Sequence, residues 1–187
     1  MPAVDFTPFP TLQTKRLILR EMTLSDQEAL YVLRSNAAIM RFIPRPPAQT
    51  VTDAAALIED FRAGVAANER ITWGIALPHL SRIVGTIGFV RMQPEHARAE
   101  VGYLLHPDYR GQGLVQEALR AVLAYGFETL KLHSIVAVVD PANTPSARVL
   151  ERAGFRKEGH FRENIRFGAR FLDSVYYARL ATDPAVE

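Results

Sequence analysis

Apolar and polar positions follow two different periods along this chain, and the changes of period predict its elements. After residue 113, apolar side chains recur at intervals of three and four, which indicates a helix with one buried face: Val115, Ala118, Leu119, Val122 and Leu123. Other short runs are continuously apolar or alternate with polar residues, and they predict strands at residues 16–22, 71–77, 82–91, 100–105, 135–139, 155–162 and 171–180. This order of elements predicts a mixed α/β sheet.

Capping residues predict where two early helices begin. Ser25, with Glu28 three residues later, has the form of a capping box, so we expect Ser25 to be the N-cap of the first helix. Residues 41–47 contain three prolines and predict a stiff loop, because proline cannot continue a helix. Thr50 is then expected to cap the second helix.

One stretch predicts an anion-binding turn. The strand that begins near Glu100 leads into a loop with Arg110, Gly111 and Gly113, and the amphipathic helix follows directly. Glycines allow backbone N–H groups to converge on a ligand, and a helix N-terminus favours negative charge. The spelling differs from a Walker loop, and Gln116 occupies the position of the third glycine in a dinucleotide-binding loop. A glycine-rich turn without a ligand is the alternative.

Composition narrows the class of protein. The chain has 187 residues with 48% hydrophobic side chains, which suits one well-packed domain. It has no cysteine and five scattered histidines, so we expect neither a disulfide nor a metal site. A net charge of +2 predicts no nucleic-acid partner. The absence of a long apolar run or a leader pattern predicts a cytoplasmic protein with no membrane span.

Three ordered motifs resemble one family. Residues 110–115, Arg-Gly-Gln-Gly-Leu-Val, resemble the R/Q-x-x-G-x-G/A acetyl-CoA signature of the GNAT N-acetyltransferase superfamily, with Val115 in place of the final small residue. Residues 143–159 resemble its N-x-x-S…L-x-x-x-G-F-x-x-E-G block. Residues 14–20 are similar to the T-x-R-L-x-L-R opening of the RimJ/RimL-like branch. The resemblance runs from about residue 12 to about residue 180.

The resemblance implies a GNAT α/β (α+β) fold. The expected sheet is mostly antiparallel, has about seven strands, is splayed in its middle and is flanked by about four helices. A single domain at residues 14–181 would lie between an extended or partly disordered arm, residues 1–13, and a tail, residues 182–187. Relatives are often oligomers, so self-association is an open alternative.

The resemblance also implies acetyl-CoA as cosubstrate and a set of contacts to it. These residues are Leu104, Leu105, His106, Arg110, Gly111, Gln112, Gly113, Leu114, Val115, Asn143 and Ser146. Backbone N–H groups around Leu104 and Leu105 would hold the thioester carbonyl. Asn143 would contact the pantetheine arm, although it could equally be the N-cap of the helix that follows.

Acetyl transfer to an amine needs a base, because an α-amino group has a pKa of about 8 and is mostly protonated at pH 7. The resemblance makes Glu100 the candidate base, and its alternative is an ion pair with Arg98 or another cation. The usual family tyrosine that protonates the thiolate is replaced by Leu150. Ser146 is the remaining candidate proton donor, and a serine in a first helical turn needs no function.

The remaining conspicuous residues have structural interpretations. Trp73 is expected in the core and Tyr103 in strand packing, while the side chains of His106 and His160 are expected to be exposed or satisfied. Four arginines are expected to be solvated unless they converge, in which case they favour an acidic acceptor or a peptide: Arg45, Arg162, Arg166 and Arg170.

The function expected from the resemblance is acetyl transfer by direct attack of a primary amine in a ternary complex. RimJ/RimL-like relatives modify protein N-terminal α-amino groups, which makes these the first expectation for the acceptor. A small amine, such as a polyamine, an amino-acid-like compound or an aminoglycoside, is the alternative. The absence of the usual tyrosine leaves open a protein of another class, a non-catalytic acyl-CoA-binding sensor.

Overall fold

A computed structural model describes residues 4–184 of the chain. These residues contain five helices and eight strands, in the order β1 Leu12–Gln13, β2 Ile18–Arg20, α1 Gln27–Ser35, α2 Ala37–Met40, α3 Val51–Ala66, β3 Ile71–Ala76, β4 Ile83–Gln93, β5 Arg98–Leu105, α4 Leu114–Ala124, β6 Ser134–Val139, α5 Thr144–Arg152, β7 Arg156–Phe167 and β8 Arg170–Leu180. The sheet has one strand more than the expected number of about seven, and there is one helix more than the expected number of about four. Two of the elements are very short, because β1 has two residues and α2 is a single turn. No helix in this part of the chain is long and apolar enough to cross a membrane.

All eight strands form one mixed sheet in the order β1-β2-β3-β4-β5-β6-β8-β7. Each neighbouring pair is antiparallel except β5 and β6, which run parallel. The parallel pair is short, because Glu100 and Val136 are the last residues that pair across it. Beyond them the two strands separate. The expected GNAT fold, with a mostly antiparallel sheet that splays in its middle, is confirmed.

Two apolar clusters cover the two faces of this sheet. Leu104 belongs to the cluster formed with α1, α2 and α3, whereas Leu105 belongs to the larger cluster that contains the buried side of α4. Successive strand residues point to opposite faces of a sheet. Leu104 therefore marks the face of β5 that α1, α2 and α3 cover, and Leu105 marks the face that α4 covers. Glu100 shares its face with Leu104, and Tyr103 shares its face with Leu105.

The segment before β1 packs against the sheet. Phe6 is 1% exposed, and the indole N–H of Trp73 donates to the carbonyl of Pro10 over 2.6 Å. Trp73 also meets Phe9 and Phe89 edge-on, so its expected place in the core is confirmed. The segment is extended as expected, but residues 4–13 are ordered by these long-range contacts. Residues 1–3 and 185–187 lie outside the described part of the chain, and the boundary at residue 14 stays a prediction.

The capping box predicted at Ser25 and Glu28 is wrong. The carboxylate of Asp26 accepts the backbone N–H of Thr23 over 3.0 Å, so the box lies two residues earlier, and α1 begins at Gln27. Asp26 is 1% exposed and also accepts two hydrogen bonds of 2.8 Å from Arg20. The ion pair with Arg20 holds the Asp26 carboxylate next to the N–H of Thr23, and this favours the capping box that begins at Thr23 over the one predicted at Ser25. The N-cap predicted at Thr50 is confirmed.

We expect Asp26→Asn to lower the free energy of unfolding by about 2 kcal/mol, because the ion pair with Arg20 is lost and the one remaining amide oxygen cannot serve Arg20 and the N–H of Thr23 as two carboxylate oxygens do. Arg20 keeps a 27% exposed side chain, so water limits the loss to less than a fully buried pair would suffer. Urea unfolding at pH 7 measures the change. Asp53→Asn is the matched control, because Asp53 caps α3 from an exposed position without an ion pair, and its loss should be smaller. Equal losses in both variants would contradict the role of the Arg20 pair.

Candidate active site

The loop between β5 and α4 forms a cradle of backbone donors. Gly111 and Gly113 both have φ of +74°, a conformation that L side chains rarely adopt. A Cβ atom at Gly111 would meet nothing within 4 Å, so its backbone lies open on that side. Gly113 is the N-cap of α4, whose first-turn N–H groups have no partner within the helix. The cradle therefore suits a phosphate or pyrophosphate group.

Two arginines lie at this cradle. Arg110 is exposed, and no acidic residue of the described chain pairs with it. Arg16 donates to the carbonyl of Gln112 over 2.9 Å and pairs with Glu117 over 2.6 Å. Glu117 also accepts a hydrogen bond of 2.6 Å from Thr14; burial would raise its pKa, but the hydrogen bonds from Thr14 and Arg16 outweigh burial and lower it.

Sequence reasoning did not assign Arg16 to this loop. The motif at residues 14–20 contains it and is the signal that could have drawn attention to it. Its contacts place a second guanidinium beside the cradle and tie the N-terminal strands to the first turns of α4. Gln116, in the same first turn, has a side-chain nitrogen that is buried and has no hydrogen-bond partner in the described residues.

The separation of β5 and β6 exposes strand edges next to the cradle. The N–H of His106 donates to Val84 of β4 over 2.9 Å. Because N–H groups alternate sides along a strand, Leu104 also faces β4, and the N–H of Leu105 faces the gap toward β6. Of these two predicted carbonyl-binding residues, Leu105 has the open donor. The His106 imidazole accepts a hydrogen bond from the N–H of Asp108 over 3.3 Å, so this side chain is satisfied.

Tyr103 and Ser146 meet across this gap. The phenol oxygen of Tyr103 lies 2.8 Å from Oγ of Ser146. Burial raises the pKa of Tyr103 to about 12, and the hydrogen bond with Ser146 only partly opposes that change. The side chain of Asn143 accepts the N–H of Ser146 over 3.3 Å, so Asn143 is the N-cap of α5. Tyr103 was expected only to pack, and the contact joins residues 43 positions apart.

Glu100 lies on the other face of β5. Its side chain is 20% exposed and pairs with Arg91 over 3.2 Å. The ion pair weighed in the sequence analysis therefore exists, with Arg91 rather than Arg98 as the partner. No hydrogen bond joins Glu100 to Ser146 in the described residues. The two candidate catalytic groups flank the start of the gap from opposite faces of the sheet.

The other conspicuous residues lie elsewhere. Leu150, at the position of the usual family tyrosine, is fully buried in α5. His160 pairs with Asp173 over 2.7 Å on the β7–β8 hairpin, so it is satisfied, as expected. Three of the four arginines, Arg162, Arg166 and Arg170, belong to that hairpin, and Arg45 lies in the loop after α2, so they come from two elements.

A mixed sheet that splits beside a glycine-rich phosphate loop is the arrangement that the resemblance implies for an acyltransferase of the acetyl-CoA-using type. A family model described as acetyltransferase (GNAT) domain matches residues 16–156. The chain is 37% identical to the uncharacterized N-acetyltransferase YoaA of Bacillus subtilis over 169 residues, which are 90% of this chain and 96% of YoaA. It resembles the crystal structure of a GNAT-family acetyltransferase from Bacillus anthracis with a TM-score of 0.83 and 32% identity, covering 93% of this chain and 100% of that one. The chain therefore belongs to the GNAT acetyltransferase family, and it is an N-acetyltransferase.

Two further relatives differ in the acceptor that their names give. The ribosomal-protein-serine acetyltransferase of Escherichia coli is 32% identical over 103 residues, covering 52% of this chain and 55% of that protein. The spermidine N(1)-acetyltransferase of Escherichia coli is 22% identical over 157 residues, covering 84% of this chain and 82% of that protein. Similarity therefore establishes the reaction class and leaves the acceptor to be argued from the site.

Proposed function

We propose that this enzyme transfers the acetyl group of acetyl-CoA to a protein N-terminal α-amino group by direct attack in a ternary complex. The observation that carries the proposal is the gap between β5 and β6, which opens beside the phosphate cradle and is crossed by the Tyr103–Ser146 contact. The motif at residues 14–20 and the similarity to a ribosomal-protein-serine acetyltransferase favour a protein acceptor.

The cradle residues would hold the cosubstrate. The pyrophosphate fits the backbone donors of residues 111–115, with Arg110 supplying a charge. The open N–H of Leu105 would donate to the thioester oxygen, where negative charge develops during attack. Asn143 uses its side-chain oxygen to cap α5, which leaves its amide N–H groups for the pantetheine arm.

Two groups would move the protons. Glu100 accepts the proton of the attacking amine, either directly or through one water molecule. As the carbon–sulfur bond breaks, the Ser146 hydroxyl donates its proton to the departing sulfur and takes a replacement proton from solvent, to which Glu100 returns the proton of the amine. For this step Tyr103 would be the donor in its 2.8 Å hydrogen bond with Oγ of Ser146, so that the serine proton points outward. Tyr103 remains protonated at neutral pH because burial raises its pKa to about 12.

A small amine is the second candidate acceptor, and the spermidine acetyltransferase among the relatives favours it. A protein that binds acyl-CoA without turnover is the candidate from another class. The burial of Leu150 where the family tyrosine would stand favours it, and the Tyr103–Ser146 pair argues against it, because a phenol is again present beside the gap.

Release of CoA from acetyl-CoA tests these candidates. We expect turnover with peptides that begin with Ser or Ala, and at least ten times lower kcat/KM with spermidine and aminoglycosides. The peptide products are checked by mass for one acetyl group on the N-terminus, with N-terminally blocked peptides as the control. Turnover on a small amine alone would contradict the protein acceptor and support a small-amine acceptor instead. Acetyl-CoA binding without turnover on any amine would support the non-catalytic sensor.

A further inference from the structure

Arg34 is a half-buried cation without an acidic partner. It lies in the last turn of α1, and its Nε atom has neither exposed surface nor a hydrogen-bond partner in residues 4–184. The charged group near Arg34 is a second cation, Arg45. No carboxylate of the described residues pairs with either guanidinium. Burial and the charge of Arg45 together lower the pKa of Arg34 to about 10.

The loop after α2 holds the two arginines near each other. The N–H of Ala48 donates to the backbone carbonyl of Arg34 over 3.1 Å, and the hydroxyl of Tyr31 donates to the carbonyl of Gln49 over 3.3 Å. These bonds fasten the proline-rich loop across the end of α1. Arg45, within that loop, is exposed, so the pair is accessible from solvent on one side.

A purely structural role explains Arg34 poorly. A cation in the last turn of a helix gains a small stabilisation from the helix dipole. Side chains lean toward the N-terminus of their helix, however, and Arg34 donates no hydrogen bond to a carbonyl of the described residues. The buried Nε–H of Arg34 has lost water without gaining a partner, and that cost exceeds what the dipole returns. A negatively charged ligand would offset that cost.

The arginine pair lies on the acceptor side of the proposed reaction. The buried face of α1, with Leu30 and Leu33, packs in the same cluster as Leu104 of β5. Glu100, the candidate base, lies on the same face of β5 as Leu104, because the two are four residues apart in the strand. The layer that carries Arg34 and Arg45 therefore covers the face from which the amine would reach Glu100.

We propose that Arg34 and Arg45 bind a carboxylate of the amine acceptor. This inference rests on the proposed function and specifies its substrate as an amine with a carboxylate nearby. The planar guanidinium group matches a carboxylate with two parallel hydrogen bonds. The same pair of cations repels a polyamine. An acidic peptide N-terminus and a free amino acid are two sources of this chemistry.

Matched peptides test the proposal. For wild-type enzyme, we expect kcat/KM for peptides beginning Ser-Glu-Glu to exceed that for Ser-Gln-Gln at least tenfold, mainly through KM. Arg34→Met and Arg45→Gln should each lower kcat/KM for the Ser-Glu-Glu peptide roughly 10-fold, and so remove most of the preference, with a much smaller effect on the Ser-Gln-Gln peptide. Arg41→Gln is the matched control, because Arg41 lies in the same loop, stacks over Phe42 and should keep the preference. Free glutamate as acceptor separates the amino-acid source from the peptide source.

A binding measurement separates this inference from the proposed function. N-acetylated Ser-Glu-Glu and Ser-Gln-Gln peptides cannot react, and fluorescence anisotropy with CoA present reports their affinities. Tighter binding of the acidic peptide that Arg34→Met removes would support the site even if no peptide is acetylated. Equal affinity of wild type for both peptides and no use of glutamate would overturn it. Arg34→Met should leave the urea midpoint unchanged or higher, and a clear fall would assign Arg34 a structural role instead.

Discussion

Glu100→Gln is expected to lower kcat for a peptide acceptor about 100-fold or more at pH 7, while the affinity for acetyl-CoA stays unchanged. Glutamine keeps the size of the side chain and cannot take a proton from an ammonium group. An α-amino group with a pKa of about 8 is mostly protonated at pH 7 and mostly free at pH 9. The defect of the variant should therefore shrink, by up to about tenfold, as the pH rises between these values. Steady-state CoA release across this pH range measures it.

Arg91→Gln is the matched control for this prediction. It breaks the same ion pair from the other side, because Arg91 is the partner that Glu100 contacts. Arg91 is 71% exposed, and exposed ion pairs contribute little to stability, so we expect both the fold and kcat to change by a few-fold at most. Equal losses in the two variants would assign Glu100 a structural ion pair. A fully active Glu100→Gln would exclude it as the base.

Local patterns predicted most of the sheet and the helix after the cradle. Apolar periodicity depends on burial of one face, and the stripe that begins at Val115 belongs to α4 as expected. The caps at Thr50 and Asn143 were also predicted, because each acts within three residues of its own helix. The glycine-rich loop was placed correctly for the same reason, since its shape depends on the backbone freedom of Gly111 and Gly113.

What local patterns missed depends on partners that are distant in the sequence. Two overlapping capping patterns begin at Thr23 and Ser25, and the first one forms because Arg20 pairs with Asp26. The alternation of side chains along β5 predicts which face of the sheet carries Tyr103. No residue near Tyr103 in the sequence indicates that Ser146 lies across the gap. Arg34 looks like a solvated charge on an amphipathic helix until the loop that covers it is known.

Ser146→Ala is expected to lower kcat about 30-fold, because the departing thiolate has a pKa of roughly 8.5 and needs only moderate help from a proton donor. Tyr103→Phe should cost about tenfold, since it removes the hydrogen bond to Oγ of Ser146 and leaves the serine in place. The double variant should be no slower than Ser146→Ala alone, because the phenol acts only through the serine. Such non-additivity in kcat identifies residues that work as one unit.

Tyr177→Phe provides the control for this cycle. Tyr177 lies on β8 and its hydroxyl donates to Glu151 of α5 over 3.4 Å, so the variant loses a tyrosine hydroxyl that contacts the same helix away from the gap. We expect kcat to remain within twofold of wild type. Because burial raises the pKa of Tyr103 to about 12, the wild-type rate should show no loss of a proton donor up to pH 10. Independent, additive losses at Tyr103 and Ser146 would mean that the phenol acts elsewhere, and an unaffected Ser146→Ala would mean that solvent protonates the thiolate.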